Sequence, residues 1–227
     1  MKTIQPHRLL KTVLLVACSA FIGSQAWATV VTWNLNPSGL NQPVGSSSQS
    51  YTVSGYTITA YGYDNNNGIG TLHQLFFKND GSDEVGLGLV NTLHNELQVD
   101  GNGTPLHFIQ LDLTSILAQG FTNGKISIGS VQPNEAFSLF GSNTLGVLGT
   151  KLNATPYDSS SDVTFVSVPN FGTFKFISVV AAAADVLPVA FQATITPIPE
   201  ATSLIPAVFV AIAATAFEAR RRRRAIA

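Results

Sequence analysis

Three carboxylates lie in or beside β-prone stretches and a glycine-rich turn in the middle of the sequence. Asp100 is the first residue of the DGNG turn (100–103), Glu96 lies four residues before it, and Asp112 lies near the end of LHFIQLDL (106–113). Carboxylate and carbonyl oxygens are the ligands that Ca²⁺ prefers. The three side chains therefore predict a calcium site at one edge of a sheet. The structural alternative is that they are solvated turn acids, since the strict EF-hand pattern is absent.

Two of these carboxylates also suggest an alternative function, hydrolysis of a polysaccharide. Glycosidases use a pair of Asp or Glu side chains on either side of the scissile bond, and Glu96 and Asp112 are candidates for such a pair. The G-x-S-x-G motif of serine hydrolases is absent from the sequence. We therefore assign no catalytic residue and expect a protein that is not an enzyme.

Three of the four histidines lie in the central region after the predicted signal peptide, at His73, His94 and His107. Their spacing matches no zinc-binding pattern, and the segment beginning at His94 reads HNEL, which is not HExxH. We therefore expect these histidines to be structural or exposed.

Four tyrosines near the start of the central region suggest a surface that stacks on sugar rings. Tyr61 and Tyr63 would share one face of a strand, whereas Tyr56 would lie on the opposite face. The alternative is ordinary strand composition, because tyrosine is favoured in strands.

The elements that must position these side chains are predicted to be short strands. Runs that alternate apolar and polar residues are separated by turn-forming segments such as DNNNG (64–68) and PYDSSSD (156–162). One short helix is expected over 113–120, capped by Thr114 or Ser115, and SGLNQPVGSSSQS (38–50) is expected to be a loop. This pattern predicts an all-β fold, an antiparallel β-sandwich or jelly roll. The expected strands are 30–35, 51–63, 72–77, 106–113, 125–131, 136–141, 163–168, 171–180 and 187–195.

The central region is acidic, although the whole chain has a formal net charge of −1. Residues 29–197 hold four lysines, eleven acidic residues and no arginine. Such a surface repels phosphate backbones, which excludes nucleic acid as a partner. A cation such as Ca²⁺ is the more natural small ligand.

The N-terminus has the pattern of an export signal. Basic residues precede an apolar run of twelve residues (12–23), which is too short to span a bilayer, and Ala26-Trp27-Ala28 fits the small-x-small pattern of signal peptidase. We expect residues 1–28 to be removed between Ala28 and Thr29. The alternative is a lipoprotein signal ending at Cys18, the single cysteine of the chain.

The C-terminus combines a proline–glutamate motif, an apolar run and a basic cluster. Pro197 and Pro199 oppose further strand pairing and place Glu200 on an extended segment. The apolar run 201–217 would form a helix about 25 Å long, slightly shorter than a hydrocarbon core of about 30 Å. By the positive-inside rule the following cluster stays cytoplasmic, and it consists of Arg220, Arg221, Arg222, Arg223 and Arg224.

This succession of elements resembles the PEP-CTERM sorting signal of Gram-negative bacteria. The resemblance implies processing by exosortase, a membrane-embedded peptidase that cleaves near the motif. Pro199 and Glu200 match the proline–glutamate core, and the arginines match the terminal cluster, whereas Ala201 stands where the family usually has a second proline. The alternative is a simple tail-anchored envelope protein.

The central region also resembles domains found upstream of this signal, in which a GLG-type turn precedes an acidic stretch and a strand. Gly86-Leu87-Gly88-Leu89 would be that turn, followed by Glu96, Asp100 and the strand at 106–113.

Together these features predict three segments. A signal peptide (1–28) precedes a β-sandwich ectodomain (29–196), and a sorting signal (197–227) follows it. We expect an exported cell-surface or extracellular protein, a non-enzymatic matrix, adhesive or exopolysaccharide-associated component. A secreted polysaccharide hydrolase is the alternative. The expected partners are signal peptidase, exosortase and, before processing, the membrane.

Overall fold

A computed structural model describes residues 27–81 and 84–196. Most of the predicted signal peptide and all of the predicted sorting signal, including Pro199, Glu200 and the five arginines, lie outside the described residues. In the described ranges, no helix has the length and apolar character needed to cross a membrane.

The described residues form β-strands joined by turns, with one short α-helix, α1 (Thr114–Ala118), and two 3₁₀ helices, Leu93–Asn95 and Ser159–Ser161. Over the described residues, the predictions of an all-β fold and of a short helix near residue 113 are confirmed. The strands are Thr29–Asn34 (β1), Gln42–Pro43 (β2), Ser48–Val53 (β3), Tyr56–Asn66 (β4), Ile69–Leu72 (β5), Leu75–Asn79 (β6), Val85–Leu89 (β7), Leu97–Gln98 (β8), His107–Asp112 (β9), Thr122–Gly129 (β10), Ala136–Ser142 (β11), Thr150–Lys151 (β12), Tyr157–Asp158 (β13), Phe165–Ser167 (β14), Phe176–Ala183 (β15) and Asp185–Ile195 (β16).

The strands make three sheets, and every ladder between them is antiparallel. The five-stranded sheet has the order β1-β16-β10-β14, with β8 also pairing with β16. The eight-stranded sheet has the order β12-β11-β15-β9-β4-β3, with β13 on β11 and β5 on β4. A three-stranded sheet, β2-β6-β7, lies against β16 through β7.

One hydrophobic core is shared by the two larger sheets. In β1 only alternate side chains, Val31 and Trp33, are buried, as expected for a strand with one wet face. They belong to the same cluster as Ile109 and Leu111 of β9 in the other sheet. A smaller cluster on the far face of the eight-stranded sheet lies around Tyr63. The strand β15 contributes to both clusters, so its first six residues are all buried.

The two ends of the compact unit, which spans Thr29–Ile195, are paired with each other. Thr29 faces Ile195 in the β1–β16 ladder, and β16 lies between β1 and β10. The first and last strands of the unit are therefore neighbours in one sheet.

Several element boundaries differ from those expected. The run 51–63 is two strands, β3 and β4, because Ser54 and Gly55 take positive φ values and turn the chain into a hairpin. The expected loop 38–50 contains β2 and the start of β3. The run 171–180 becomes a strand only from Phe176.

The expectation of a turn at residues 86–89 is wrong, because these residues belong to strand β7. Its glycines serve close packing instead. A Cβ at Gly88 would lie 1.7 Å from the backbone oxygen of Asn95, and one at Gly86 would lie 2.6 Å from that of Pro188.

The expected capping of the helix by Thr114 or Ser115 is also wrong. Leu113 is the N-cap residue, and its side chain makes no cap hydrogen bond. The carboxylate of Asp112 accepts a hydrogen bond from the Thr114 N–H over 2.9 Å instead.

Candidate functional site

A cluster of one carboxylate and two imidazoles joins β4, β9 and the connection between β5 and β6. Asp64 in β4 and His107 in β9 are register partners in adjacent antiparallel strands, so their side chains project from the same face. This face also carries Ile109 and Leu111, which belong to the core. The pair therefore lies on the core-facing surface of the eight-stranded sheet, at the first residue of β9.

The third member, His73, comes from the connection between β5 and β6. Its backbone N–H donates to the Gly62 oxygen over 2.9 Å. Gly62 has to be a glycine for this approach, since a Cβ there would lie 2.6 Å from the His73 oxygen. The ring nitrogen Nε2 of His73 is 2.6 Å from the carbonyl oxygen of Val90. Backbone and ring are thus both fixed by neighbouring segments.

The ring nitrogens converge on one carboxylate oxygen. His73 Nδ1 lies 2.6 Å from Asp64 Oδ1, and His107 Nδ1 lies 3.0 Å from the same oxygen. The two imidazole rings meet edge to face, with their centroids 5.8 Å apart. Each of these three described residues offers one possible metal-ligand atom, and the three atoms all lie within 4.8 Å of one another.

The cluster is partly shielded from solvent. The side chains of His73 and His107 are 21% and 15% exposed, whereas that of Asp64 is 50% exposed. Burial lowers the pKa of His107, and the nearby Asp64 carboxylate offsets part of this effect. The neutral form of the His107 imidazole is therefore favoured.

Sequence spacing did not reveal this cluster, because its members come from three segments that only the strand register brings together. His94 lies elsewhere: its Nδ1 is 2.8 Å from Asp185 Oδ2, and its side chain is 63% exposed. The expectation of a structural or exposed histidine is confirmed at His94.

A second charged group, the Lys78 cluster, consists of Lys78, Glu84 and Glu96. Lys78 Nζ is ion-paired with Glu96 Oε1 and lies 2.7 Å from Glu84 Oε2. Lys78 and Glu96 are each only 2% exposed, and Oε2 of Glu96 lacks a hydrogen-bond partner among the described residues. Burial raises the pKa of Glu96, with Lys78 acting in the opposite direction.

The structure does not bring the predicted calcium ligands Glu96, Asp100 and Asp112 together, because their carboxylate oxygens do not all lie within 4.8 Å of one another. Glu96 is engaged by Lys78. Asp100 Oδ1 accepts hydrogen bonds from the N–H groups of Asn102 and Thr104, each over 2.8 Å, which closes its own turn and lowers its pKa. Asp112 accepts the hydrogen bond at the start of α1. Local backbone geometry or ion pairing thus explains each carboxylate.

The tyrosines divide between the two sides of the eight-stranded sheet. Tyr61 and Tyr63 are stacked with centroids 6.4 Å apart, which confirms their shared face, but Tyr63 is buried beneath a loop. Tyr56 packs against Phe121 on the core side.

A groove of about 630 Å³ lies near the ends of the compact unit. It is formed where β10 begins and β14 ends, and its lining includes Phe171, Asn123, Lys125, Ser167 and Thr194. The groove is thus lined by aromatic rings together with amide, hydroxyl and ammonium groups.

The described residues thus form an all-β fold with a carboxylate–imidazole cluster at the first residue of β9 and a groove at the start of β10. No family model, curated protein or solved structure matches the chain.

Proposed function

We propose that this protein is an exported, non-enzymatic component of the cell surface or extracellular matrix. Its jelly-roll-like β-sandwich is delivered across the inner membrane by the signal peptide and released from the sorting signal by an exosortase-type peptidase. The observation that carries the proposal is the position of the folded unit between the two predicted processing sites.

This unit begins and ends beside those sites. It spans Thr29–Ile195, so its first residue directly follows the predicted cleavage after Ala28. The strand β16 ends two residues before Pro197. Because Thr29 and Ile195 are partners in one ladder, cleavage on either side would leave the sheet intact. The proposal thus requires no rearrangement of the fold during maturation.

The positions of the carboxylates support a role in binding rather than hydrolysis. A glycosidase needs one carboxyl group as acid and another as base or nucleophile, both facing the sugar. Glu96 is buried against Lys78, and Asp112 is hydrogen-bonded to the start of α1. The groove beside Phe171 offers a ring and polar groups suited to a sugar chain.

Intact mass of the surface protein tests the sorting proposal. The wild-type protein should lack residues 1–28 and the C-terminal segment in cells with active exosortase, and should keep that segment in cells without it. Glu200→Ala should also keep the segment. The matched control is Glu218→Ala, a glutamate in the same tail outside the motif, which should be processed normally. Retention of residues 201–227 in both strains would refute the proposal, and a mature start at lipidated Cys18 would refute cleavage after Ala28.

Incubation with the cell's own exopolysaccharide tests the second part of the proposal. The mature protein should sediment with the polysaccharide and should release no reducing ends. Release of reducing ends that is lost in a folded Glu96→Gln or Asp112→Asn variant would favour the hydrolase alternative.

A further inference from the structure

The hydrogen bonds of His73 are incomplete without an added cation. Its Nε2 faces the carbonyl oxygen of Val90, and its Nδ1 faces Asp64 Oδ1, each over 2.6 Å. A carbonyl oxygen only accepts, so Nε2 carries the hydrogen, and a neutral imidazole has just one N–H. The lone pair of Nδ1 then points at a carboxylate oxygen, and a proton or a metal ion must lie between them.

The second histidine favours a metal ion over a single shared proton. His107 Nδ1 approaches the same carboxylate oxygen, Asp64 Oδ1, over 3.0 Å. One carboxylate and two imidazoles, all within 4.8 Å of one another, are the donor set of open zinc and related transition-metal sites.

We propose that Asp64, His73 and His107 bind one divalent transition-metal ion of the Zn²⁺ class, through Nδ1 of both imidazoles and one carboxylate oxygen. In a tetrahedral zinc site, neighbouring ligand atoms are about 3.3 Å apart. The distances from Asp64 Oδ1 to Nδ1 of His73 and of His107, 2.6 and 3.0 Å, are slightly shorter. Because the Asp64 side chain is half exposed, it has room to move outward by less than an ångström when the ion enters.

The surroundings of His73 match those of a metal ligand. Histidines that bind metals usually donate their other ring N–H to a carbonyl or carboxylate, which fixes the ring and its tautomer. Val90 supplies that carbonyl, and Gly62 holds the backbone of His73 against β4. The solvent side of Asp64 leaves a coordination position for water. Two nitrogen donors disfavour Ca²⁺, which prefers oxygen ligands.

Calorimetric titration with Zn²⁺ tests the proposal on the untagged full-length protein in detergent. The wild-type chain should bind one Zn²⁺ more than the His73→Ala and His107→Ala variants, or bind it at least tenfold more tightly. The matched control is His94→Ala, which removes the histidine of the separate His94–Asp185 pair and should bind Zn²⁺ as the wild type does. His7 and Cys18 are present in all these proteins, so their contribution cancels. Addition of Ca²⁺ should not compete.

Histidine-selective ¹⁵N NMR on the same wild-type sample identifies the coordinating atoms without any substitution. On addition of Zn²⁺, the Nδ1 signals of two histidines should shift as expected for metal binding, while the Nε2–H of one of them stays bonded to its acceptor. Three results would overturn the proposal: unchanged spectra with Zn²⁺, coordination through Nε2 of His73, or equal Zn²⁺ binding by the wild type and both ligand variants.

Discussion

Lys78 and Glu96 form an ion pair that is almost completely removed from solvent, and it joins β6 to the segment before β8. Burying two charges costs free energy that their attraction repays only with good geometry. Here Glu84 lies 2.7 Å from the same ammonium. Asp80 Oδ2 lies 3.7 Å from it as well. Three carboxylates thus surround one lysine, and removal of the lysine should be far more harmful than removal of an ordinary surface charge.

Lys78→Met should destabilise the protein by about 3–5 kcal/mol, because it leaves Glu96 buried without its counter-charge. Urea denaturation at neutral pH measures the loss. The control is Lys151→Met, which replaces an exposed lysine and should change the free energy of unfolding by less than about 0.5 kcal/mol. Equal effects of the two substitutions would contradict the structural importance of the pair.

Gly88→Ala should prevent β7 from packing beside the 3₁₀ helix at Leu93–Asn95. The new Cβ would lie 1.7 Å from the backbone oxygen of Asn95, and neither strand nor loop can yield that far without losing contacts. The expected cost exceeds about 3 kcal/mol, measured as a fall in melting temperature or in soluble yield. Gly101→Ala is the matched control, because nothing lies within 4 Å of a Cβ there. A Gly88→Ala protein as stable as Gly101→Ala would refute this account of β7.

Tyr51→Phe should alter how stability depends on alkaline pH. The Tyr51 hydroxyl is buried and donates to the Leu35 oxygen over 2.8 Å, and burial raises its pKa above the ordinary value of 10.0. The raised pKa stabilises the fold fully below pH 10, and this contribution is lost as pH rises, because the unfolded chain ionises first.

Near pH 8 the substitution removes only the hydrogen bond. The free energy of unfolding of the wild type should therefore exceed that of Tyr51→Phe by about 1 kcal/mol at this pH. The difference should shrink above pH 10. Denaturant titrations of both proteins across this range measure it, and a constant difference would show that Tyr51 does not titrate differently on unfolding.

Asp112→Ala should reduce stability by about 1 kcal/mol, because the first turn of α1 loses its side-chain acceptor. Thr114→Ala and Ser115→Ala serve as comparisons. Both residues lie inside the helix, which starts at Thr114, and neither is its N-cap residue. Thermal unfolding ranks the three variants. A larger loss for Thr114→Ala than for Asp112→Ala would restore the capping role first expected from the sequence.

Alternation of apolar and polar residues was sufficient to predict the all-β class and most strand positions, because each strand buries one face, as Val31 and Trp33 illustrate. The strand at 85–89 was missed because its glycines indicate a turn locally, whereas contacts with Asn95 and Pro188 determine their role. The carboxylate–imidazole cluster was missed for the same reason. Asp64 and His107 are 43 residues apart, and only the register of β4 and β9 makes them neighbours.

The position of β16 has a consequence for the timing of folding. This strand is the last of the compact unit, yet it pairs with β1, β10 and β8. A chain still emerging from a ribosome or a translocation pore cannot complete the five-stranded sheet before residue 195 is available. Long-range pairing of this kind is intrinsically slow. The architecture thus delays completion of the five-stranded sheet until the whole unit has been delivered, a property that fits the export proposed above.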